Sequence, residues 1–219
     1  MMADFSAARR AMVDSQLRTT GVTERRLLAA MGSTAREDFV PPARRAIAYI
    51  DDHHVLSDSL ENTRFLAAPS VFGRLVQMAA IKSDDRVLDV GAGTGYSTAI
   101  LAQLGAHVTA VESDPDLAEA ARAALQAAEF HNAVVVTSLE KVNQKSFDVI
   151  VVEGALFAAP DDLLARLNVG GRLVAMIRQR RVGCATIYTR DQDAVTSRSE
   201  FNANLPPLEK PPTSEDFVF

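Results

Sequence analysis

From residue 86 onward, short valine-rich runs alternate with longer segments of helical character. The runs are RVLDV, HVTAV, AVVVT, FDVIVV and RLVAMI, and the segments between them include GYSTAILAQL, DPDLAEAARAALQAA and DDLLARL. Short apolar runs without alternation are typical of strands that are buried on both faces, as in a parallel sheet. Strands and helices in turn form right-handed βαβ units, so the pattern predicts an α/β fold with a doubly wound, mostly parallel sheet.

The first third of the chain is predicted to be helical. Apolar residues at helical spacing from Ala8 to Leu17 lead to a break at Gly21. Thr23 is predicted to cap a second helix, ERRLLAAM. Two further helices are predicted, one after the proline pair at 41–42 and one that opens at Pro69.

Three further segments complete the organisation. The polar stretch 51–64, DDHHVLSDSLENTR, is predicted to be a loop without a regular period. Two runs after residue 180, VGCATIYTR and AVTSRSEFNA, have the length of an antiparallel hairpin, and the proline-rich tail is expected to cross the surface until Phe217–Phe219 docks. We expect one compact unit, with a helical region and substrate-side loop at 1–80 and an α/β domain at 81–219.

Composition bears on the cellular compartment and on the kinds of partner that we expect. The net charge is -5 without a long basic run, which argues against a nucleic-acid partner. No stretch has the roughly 18 apolar residues of a membrane span, and the N-terminus lacks the apolar core of an export signal. The single cysteine, Cys184, fits a reducing compartment, so we expect a cytoplasmic protein without a membrane partner. His53 and His54 are adjacent and lack a third ligand at suitable spacing, so no metal site is predicted.

Three glycines follow the first valine-rich run, in VLDVGAGTGYS. Gly91, Gly93 and Gly95 lie between a predicted strand and a predicted helix, at the edge where open α/β sheets bind ligands. Glycine allows a tight turn and lets a ligand approach the main chain. A nicotinamide or flavin site would have G-x-G-x-x-G, but Tyr96 stands where the third glycine would be.

Two acids define what the glycine loop could bind. Glu112 ends the next predicted strand, where a carboxylate can accept hydrogen bonds from both ribose hydroxyls, as it also does in dinucleotide enzymes. Asp89 precedes the glycines, and its charge would repel a diphosphate but attract an ammonium group. S-adenosylmethionine has an ammonium, a sulfonium and no phosphate, so the two acids together predict a pocket for that cofactor.

The D-x-G-x-G-x-G pattern with Glu112 resembles the signature of class I methyltransferases, and LNVGGRLVAMI resembles their turn into the fifth strand. The resemblance implies a seven-stranded sheet with a C-terminal antiparallel hairpin. It also implies S-adenosylmethionine as cofactor and S-adenosylhomocysteine as product. The residues implied in cofactor binding are Asp89, Gly91, Ala92, Gly93, Thr94, Gly95, Glu112, Ser113, Ser138, Leu139 and Glu153.

The N-terminal segment resembles a particular branch, the protein-L-isoaspartate O-methyltransferases. That family has an M-V-x-x-Q-L-R helix, a G-[IV]-T-[DE] turn and an R-E-x-F-V-P motif. The matching residues are Met12, Val13, Gln16, Leu17, Arg18, Gly21, Val22, Thr23, Arg36, Glu37, Phe39, Val40, Pro41 and Pro42. The resemblance covers nearly all of residues 9–190. It implies methyl transfer to the free α-carboxylate of an isoaspartyl residue in a peptide or protein, by a monomer or weak dimer.

The chain departs from the family in the segment that holds the substrate, which the family writes T-[IV]-S-x-P. A gapless alignment places Phe65, Leu66 and Ala67 at the Thr, aliphatic and Ser positions of this motif, so neither the Thr nor the Ser hydroxyl is present. A shifted register would bring Thr63 or Ser59 into the pocket instead.

Three more positions leave alternatives open. Arg64 could clamp a carboxylate bidentately or be a solvated loop residue. After the third strand, Ser138 or Glu140 stands where the family has an acid for the adenine amine. Glu153 either faces the cofactor or is a solvated acid at a strand end.

Three functions therefore remain open at this point. One is an isoaspartyl methyltransferase, and the second is a methyltransferase of changed substrate. The third is a cofactor-binding paralogue without catalysis.

Overall fold

A computed structural model describes residues 4–58, 63–179 and 182–208 of the chain. Its centre is a seven-stranded sheet with the order β5-β4-β3-β6-β7-β8-β9. The strands are β3 (Arg86–Val90), β4 (His107–Val111), β5 (Ala133–Val136), β6 (Phe147–Leu156), β7 (Leu167–Gln179), β8 (Val182–Arg190) and β9 (Val195–Ala203). Strands β5 to β7 pair in parallel, whereas β7, β8 and β9 pair antiparallel. The predicted doubly wound sheet and its closing hairpin are confirmed.

The central strands are buried on both faces, as their valine-rich sequences indicate. Val87, Leu88, Val149 and Ile150 are all fully buried, although neighbouring residues in a strand point to opposite faces. The strand order reverses at β3 and β6, so the carboxyl ends of these two strands flank the position where such sheets hold ligands.

Helices cover the sheet and precede it. The α-helices are α1 (Phe5–Met12), α2 (Arg25–Ser33), α3 (Pro69–Met78), α4 (Tyr96–Leu104), α5 (Pro115–Ala127) and α6 (Asp161–Leu164). The first continues as a π-helical turn at Val13–Leu17 and a 3-10 turn at Arg18–Thr20, and ends at Gly21 with a positive φ. Further 3-10 turns lie at Arg36–Asp38, Pro42–Ile47 and Leu139–Lys141.

The predicted cap of α2 is wrong by one residue. Glu24, not Thr23, precedes this helix, and its carboxylate accepts hydrogen bonds from the backbone N–H groups of Arg26 and Leu27. The longer acidic side chain reaches the free amides of the first turn, where a negative charge also stabilises the helix.

The loop predicted at 51–64 is wrong in its larger part. Residues His54–Asp58 form β1 and Thr63–Leu66 form β2, which pair antiparallel as a separate two-stranded sheet. A register irregularity between Val55 and Ser57 interrupts the alternation of apolar and polar residues, and so conceals the strands in the sequence. Ser59 lies outside the described residues.

One hydrophobic cluster contains residues of both halves of the chain, including Met12 and Met31 from the N-terminal helices and Val87 and Ile100 from the α/β part. The division at residue 80 stays a prediction. Residues Asn204–Leu208 run back along the sheet, where Leu205 is buried and Pro207 bridges Ala155. The expected docking of Phe217–Phe219 lies outside the described residues. Within those residues, no helix is long and apolar enough to cross a membrane.

Candidate cofactor site

The glycine loop joins β3 to α4 in a conformation that requires its glycines. Gly91, Gly93 and Gly95 have φ values of 84°, 56° and 90°, which is the left-handed region that side chains disfavour. A Cβ at Gly95 would lie 3.1 Å from the Cβ of Ala121 in α5, so this glycine is needed for packing. The other two glycines face the sheet edge and side chains from distant segments.

Four backbone N–H groups of the loop are already engaged. Those of Gly91 and Ala92 both donate to the carbonyl of Val111, at 2.9 and 3.2 Å. Gly95 donates to the carbonyl of Ala92, and Gly93 donates to the carboxylate of Glu112. A phosphate-binding loop presents such groups to its ligand. Four of the loop's N–H groups are therefore not available to a diphosphate, which agrees with the sequence-based preference for a cofactor without phosphate.

Asp89 is a fully buried acid at the end of β3. Its Oδ2 accepts hydrogen bonds from Ser97 Oγ at 2.8 Å and Thr98 Oγ1 at 2.7 Å, both in the first turn of α4. Its Oδ1 has no hydrogen-bond partner within the described residues. Burial raises the pKa of Asp89 to about 6, opposed by the Thr98 and Ser97 hydroxyls and reinforced by the charge of Glu112.

Glu153 lies at the sheet edge in β6 and is also buried. Its side chain is 7% exposed, so the alternative of a solvated acid is wrong. Its Oε1 has no hydrogen-bond partner within the described part of the chain. Burial, followed by the charge of Asp89, raises the pKa of Glu153 well above its usual value. Its Cβ lies 3.7 Å from the position of a Cβ on Gly91, so the acid adjoins the glycine loop.

Glu112 follows β4 and is fully buried. Its Oε2 accepts from the Gly93 N–H at 2.7 Å, and its Oε1 accepts from the Asp114 N–H at 2.9 Å. Arg64 Nε also donates to Oε1, at 3.1 Å. The carboxylate is thus oriented by two backbone amides and is also paired with a guanidinium.

Arg64 is a buried residue of β2, so the alternative of a solvated loop residue is wrong. Besides its ion pair with Glu112, its Nη2 donates to Ser113 Oγ at 2.7 Å, and its Nη1 donates to the Leu208 carbonyl at 3.2 Å. All three donating nitrogens of the fork have partners.

A cavity of about 340 Å³ adjoins Arg64 and the glycine loop. Its lining includes Gly91, Ser113, Ser138 and Leu139, which the sequence places in the cofactor site. Glu140 also lines it, so both candidates for contact with an adenine amine border the same space.

The segment predicted to hold the substrate spans the end of β2 and the turn before α3. Phe65, Leu66 and Ala67 are buried, and Phe65 packs edge-on against His53 with ring centroids 5.6 Å apart. Thr63 is half-buried at the start of β2 and pairs with Asp58. Its proposed role in the pocket therefore stays a prediction, as does that of Ser59.

Thr94 and His53 have structural partners. The Thr94 hydroxyl donates to the Phe39 carbonyl, which ties the R-E-D-F-V-P segment to the glycine loop. His53 accepts from the Ala68 N–H at Nδ1 and donates to the Asn204 carbonyl from Nε2. No group of three side chains suited to a metal ion occurs among the described residues.

Sequence reasoning missed four residues of this site. Ser97 and Thr98 were identifiable, because hydroxyls in the first turn of α4 follow Asp89 across one tight turn. Leu56 and Leu208 were not identifiable, since they reach the glycines from segments distant in sequence.

The residue types present suit S-adenosylmethionine. The unpartnered Oδ1 of Asp89 and Oε1 of Glu153 are acceptors for a cation, and Glu112 with its two amides is an oriented acceptor for a diol. The cavity beside Ser138 and Leu139 offers room for a ring.

Comparisons with known proteins agree with this interpretation. The family model described as protein-L-isoaspartate(D-aspartate) O-methyltransferase matches residues 7–206. A protein-L-isoaspartate O-methyltransferase of Koribacter versatilis is 38% identical over 173 residues, which are 78% of this chain and 76% of that protein. One from Gloeobacter violaceus is 33% identical and covers 91% of this chain and 98% of its own length.

Solved structures show the same fold. A structure named protein-L-isoaspartate O-methyltransferase superposes with a TM-score of 0.76 at 21% identity, over 91% of this chain and 65% of that chain. A Plasmodium falciparum protein in complex with S-adenosyl-L-homocysteine, which its description assigns to the same family, has a TM-score of 0.75 at 18% identity, over 95% and 100% of the two chains. The extent of the family match and the identity to its members show that this chain belongs to the protein-L-isoaspartate O-methyltransferase family.

Proposed function

We propose that the chain is an S-adenosylmethionine-dependent carboxyl O-methyltransferase that acts on isoaspartyl residues of proteins or peptides. The observation that carries the proposal is the glycine loop with its three buried acids: Asp89 near the end of β3, Glu112 directly after β4, and Glu153 in β6. This arrangement offers acceptors for cations and hydroxyls, while four of the loop amides are already bonded within the protein. Family membership supplies the acceptor class.

Each acid has a distinct role in this proposal. Glu112 would bind the ribose hydroxyls, and Asp89 and Glu153 would face the ammonium group. When bound, the cofactor supplies an activated methyl group on a sulfonium. Gly91 and Gly93 would leave space beside the main chain for this molecule once Leu208 and Leu56, which lie there in this structure, move away.

The acceptor needs little chemical help from the protein. A free carboxyl of this kind has a pKa of about 3–4 and is ionised at pH 7, so no general base is required. Rate enhancement then depends mainly on alignment of the carboxylate oxygen, and on exclusion of water from around it. Arg64 is the residue of this site that could pair with the carboxylate.

A second candidate, a methyltransferase with a different acceptor, is favoured by one observation. Phe65, Leu66 and Ala67 are buried without any side-chain hydroxyl where the family presents two. An apolar wall leaves part of an anionic acceptor without hydrogen bonds, which costs a few kcal/mol. A loss of about 2.7 kcal/mol in the transition state would slow turnover about a hundredfold.

Two measurements test the proposal. Calorimetry with S-adenosylmethionine and with S-adenosylhomocysteine should show binding of both. Transfer of a labelled methyl group should then occur to an isoaspartyl peptide and not to the same peptide with aspartate. Absence of cofactor binding would overturn the proposal, whereas binding without methylation of the isoaspartyl peptide would support a different acceptor.

A variant distinguishes a site that binds the isoaspartyl acceptor weakly from a site for a different acceptor. Ala67→Ser adds back one hydroxyl in a buried position, and we expect it to raise the rate on the isoaspartyl peptide. Ala68→Ser is the matched control, because this neighbour is equally buried. An equal response of the two variants would contradict the assignment of Ala67 to the acceptor pocket.

Partners and location are part of the proposal. The net charge of -5 supports the absence of a nucleic-acid partner, and the single Cys184 supports a cytoplasmic location. We also propose that the chain works as a monomer or weak dimer.

A further inference from the structure

Arg64 occupies the carboxylate that the proposed cofactor would use. Oε1 of Glu112 accepts from both the Asp114 N–H and Arg64 Nε, and Oε2 accepts from the Gly93 N–H, so the guanidinium is the side-chain donor to this acid among the described residues. Its Nη2 contact to Ser113 occupies a second residue of the predicted cofactor site. A bound ribose and the Arg64 guanidinium would therefore compete for the same carboxylate.

In the conformation in which Arg64 pairs with Glu112, two leucines also cover the glycines of the loop. Leu56 of β1 places its Cδ1 2.7 Å from the position of a Cβ on Gly93. Leu208 places its Cδ1 2.6 Å from the corresponding position on Gly91. The space that the glycines leave open beside the main chain is thus filled by side chains of this protein.

Arg64 links these covering segments to each other. It belongs to β2, which pairs with the strand that carries Leu56, and its Nη1 donates to the carbonyl of Leu208. The segment at Leu208 is in turn held to β6 by two backbone hydrogen bonds of 2.9 Å, from Ala155 N–H to the Pro206 carbonyl and from Leu208 N–H to the Ala155 carbonyl. Loss of the Arg64–Glu112 pair would loosen both covers at once.

Arg64 can move away from Glu112 without leaving its carboxylate unpaired. Glu112 keeps one backbone donor on each oxygen, and ribose hydroxyls can replace the guanidinium. The freed guanidinium, by contrast, belongs to a side chain that is only 7% exposed, so an unpaired cation there is unfavourable. It needs an anion, and its planar fork suits a carboxylate.

We propose that Arg64 exchanges partners, from Glu112 to the carboxylate of the methyl acceptor, when the cofactor binds. This inference rests on the proposed function. The cofactor takes Glu112 and displaces Leu56 and Leu208 from the glycines, and the released Arg64 then forms the anion site for the acceptor. The consequence is an order of binding in which the cofactor precedes the acceptor, with each strengthening the binding of the other.

Binding measurements test the exchange without relying on turnover. Calorimetry would compare S-adenosylhomocysteine binding to the unaltered chain, Arg64→Ala and Arg64→Lys. Removal of the competing guanidinium should tighten binding at least fivefold in Arg64→Ala, with a smaller gain in Arg64→Lys, whose ammonium cannot form the fork. Arg122→Ala is the control for net charge, because Arg122 bonds to exposed Glu119 on α5 and to the Val135 carbonyl rather than to Glu112, and the affinity of this variant should be unchanged.

The acceptor side supplies the second readout. An isoaspartyl peptide should bind at least tenfold more tightly in the presence of saturating S-adenosylhomocysteine than in its absence, and Arg64→Ala should abolish this difference. Hydrogen exchange at Leu56 and at Arg64–Leu66 should increase when S-adenosylhomocysteine is added. In Arg64→Ala it should be elevated already without ligand.

The outcomes separate this inference from the proposed function. Equal affinity of the unaltered chain and Arg64→Ala for S-adenosylhomocysteine, with no change in exchange at Leu56, would overturn the partner exchange alone. Binding to Arg64→Ala but not to the unaltered chain would overturn it as well, since Arg64 would then be a permanent block. Absence of binding to both proteins would overturn the proposed function itself.

Discussion

Replacement of Asp89 by asparagine should stabilise the protein at neutral pH. Asp89 is fully buried, and only one of its oxygens is hydrogen-bonded, to the hydroxyls of Ser97 and Thr98. Burial raises its pKa from 3.8 to about 6. Asparagine has nearly the same shape, and its carbonyl oxygen can accept the same two hydrogen bonds without a charge.

The sign and size of the effect follow from the pKa. Between about pH 4 and pH 6 the folded protein holds a proton on Asp89 that the unfolded chain has already released, so stability falls as the pH rises through this window. A pKa raised from 3.8 to about 6 corresponds to about 3 kcal/mol at neutral pH, as an upper limit. Asp89→Asn removes this cost. It also removes the charge that raises the pKa of Glu153, which acts in the same direction.

Urea denaturation at pH 4.5, 5.5 and 7.5 measures the effect as the difference in unfolding free energy between Asp89→Asn and the unaltered chain. The difference should grow with pH and level off above about pH 6. Asp148→Asn is a matched control of opposite sign. Burial pushes the pKa of Asp148 up, but the Arg86 amide, Asn168 and the Arg86 charge outweigh it and lower the pKa. That variant should lose stability by a similar amount at all three pH values, because the pKa of Asp148 is lowered below 3.8 in the folded protein and the loss shrinks only at lower pH.

One result would refute the reasoning about Asp89. Suppose that Asp89→Asn unfolds at a lower urea concentration than the unaltered chain at pH 7.5, and that the difference in unfolding free energy does not depend on pH. Burial of the Asp89 carboxylate would then not destabilise the fold. The raised pKa would then have no basis in the fold.

Two further predictions concern the proposed cofactor. Glu112→Ala removes the proposed acceptor for the ribose, and hydrogen bonds to a charged group contribute about 1.5–3 kcal/mol each. Affinity for S-adenosylhomocysteine, measured by calorimetry, should therefore fall at least tenfold. A change below twofold would place the ribose elsewhere. Gly93→Val puts a branched side chain where φ is 56° and where Leu56 already lies, so binding should be lost while circular dichroism still shows a folded α/β protein. Retained affinity in Gly93→Val would contradict a ligand next to this loop.

The central sheet was predictable because its signal is local. The runs in β3, β4, β6 and β7 are mostly apolar, and their few polar residues, such as the buried Asp89 and Thr109, do not produce an alternating pattern. The short strands β1 and β2 gave no such signal. Val55 is exposed, Arg64 is buried, and the register irregularity beside Leu56 breaks the period of two. A buried arginine in a strand is also contrary to the usual preference of arginine for the surface, so the sequence predicted a loop here.

The candidate site was predictable where one turn of chain defines it and not where distant segments meet. Asp89, the glycines and Glu112 follow from strand ends that the sheet topology brings to one edge. The contact between Arg64 and Glu112 joins residues 48 positions apart, across two different sheets. No periodicity connects them. The covering contact of Leu208 depends on the path of the C-terminal segment along β6, which the composition of a proline-rich tail does not define.

The three buried acids explain why stability and binding oppose each other at this site. Arg64 compensates Glu112, but Asp89 and Glu153 retain unpartnered oxygens, and burial raises the pKa of both. The charge of Asp89 raises the pKa of Glu153 further, and the charge of Glu112 does the same for Asp89. A hydrophobic or amide side chain at either position would fold at lower cost. A cation bound next to the free oxygens would reverse this balance, because it favours the charged form of both acids. We therefore expect the ammonium group of the proposed cofactor to recover on binding part of the free energy that these acids withhold from folding.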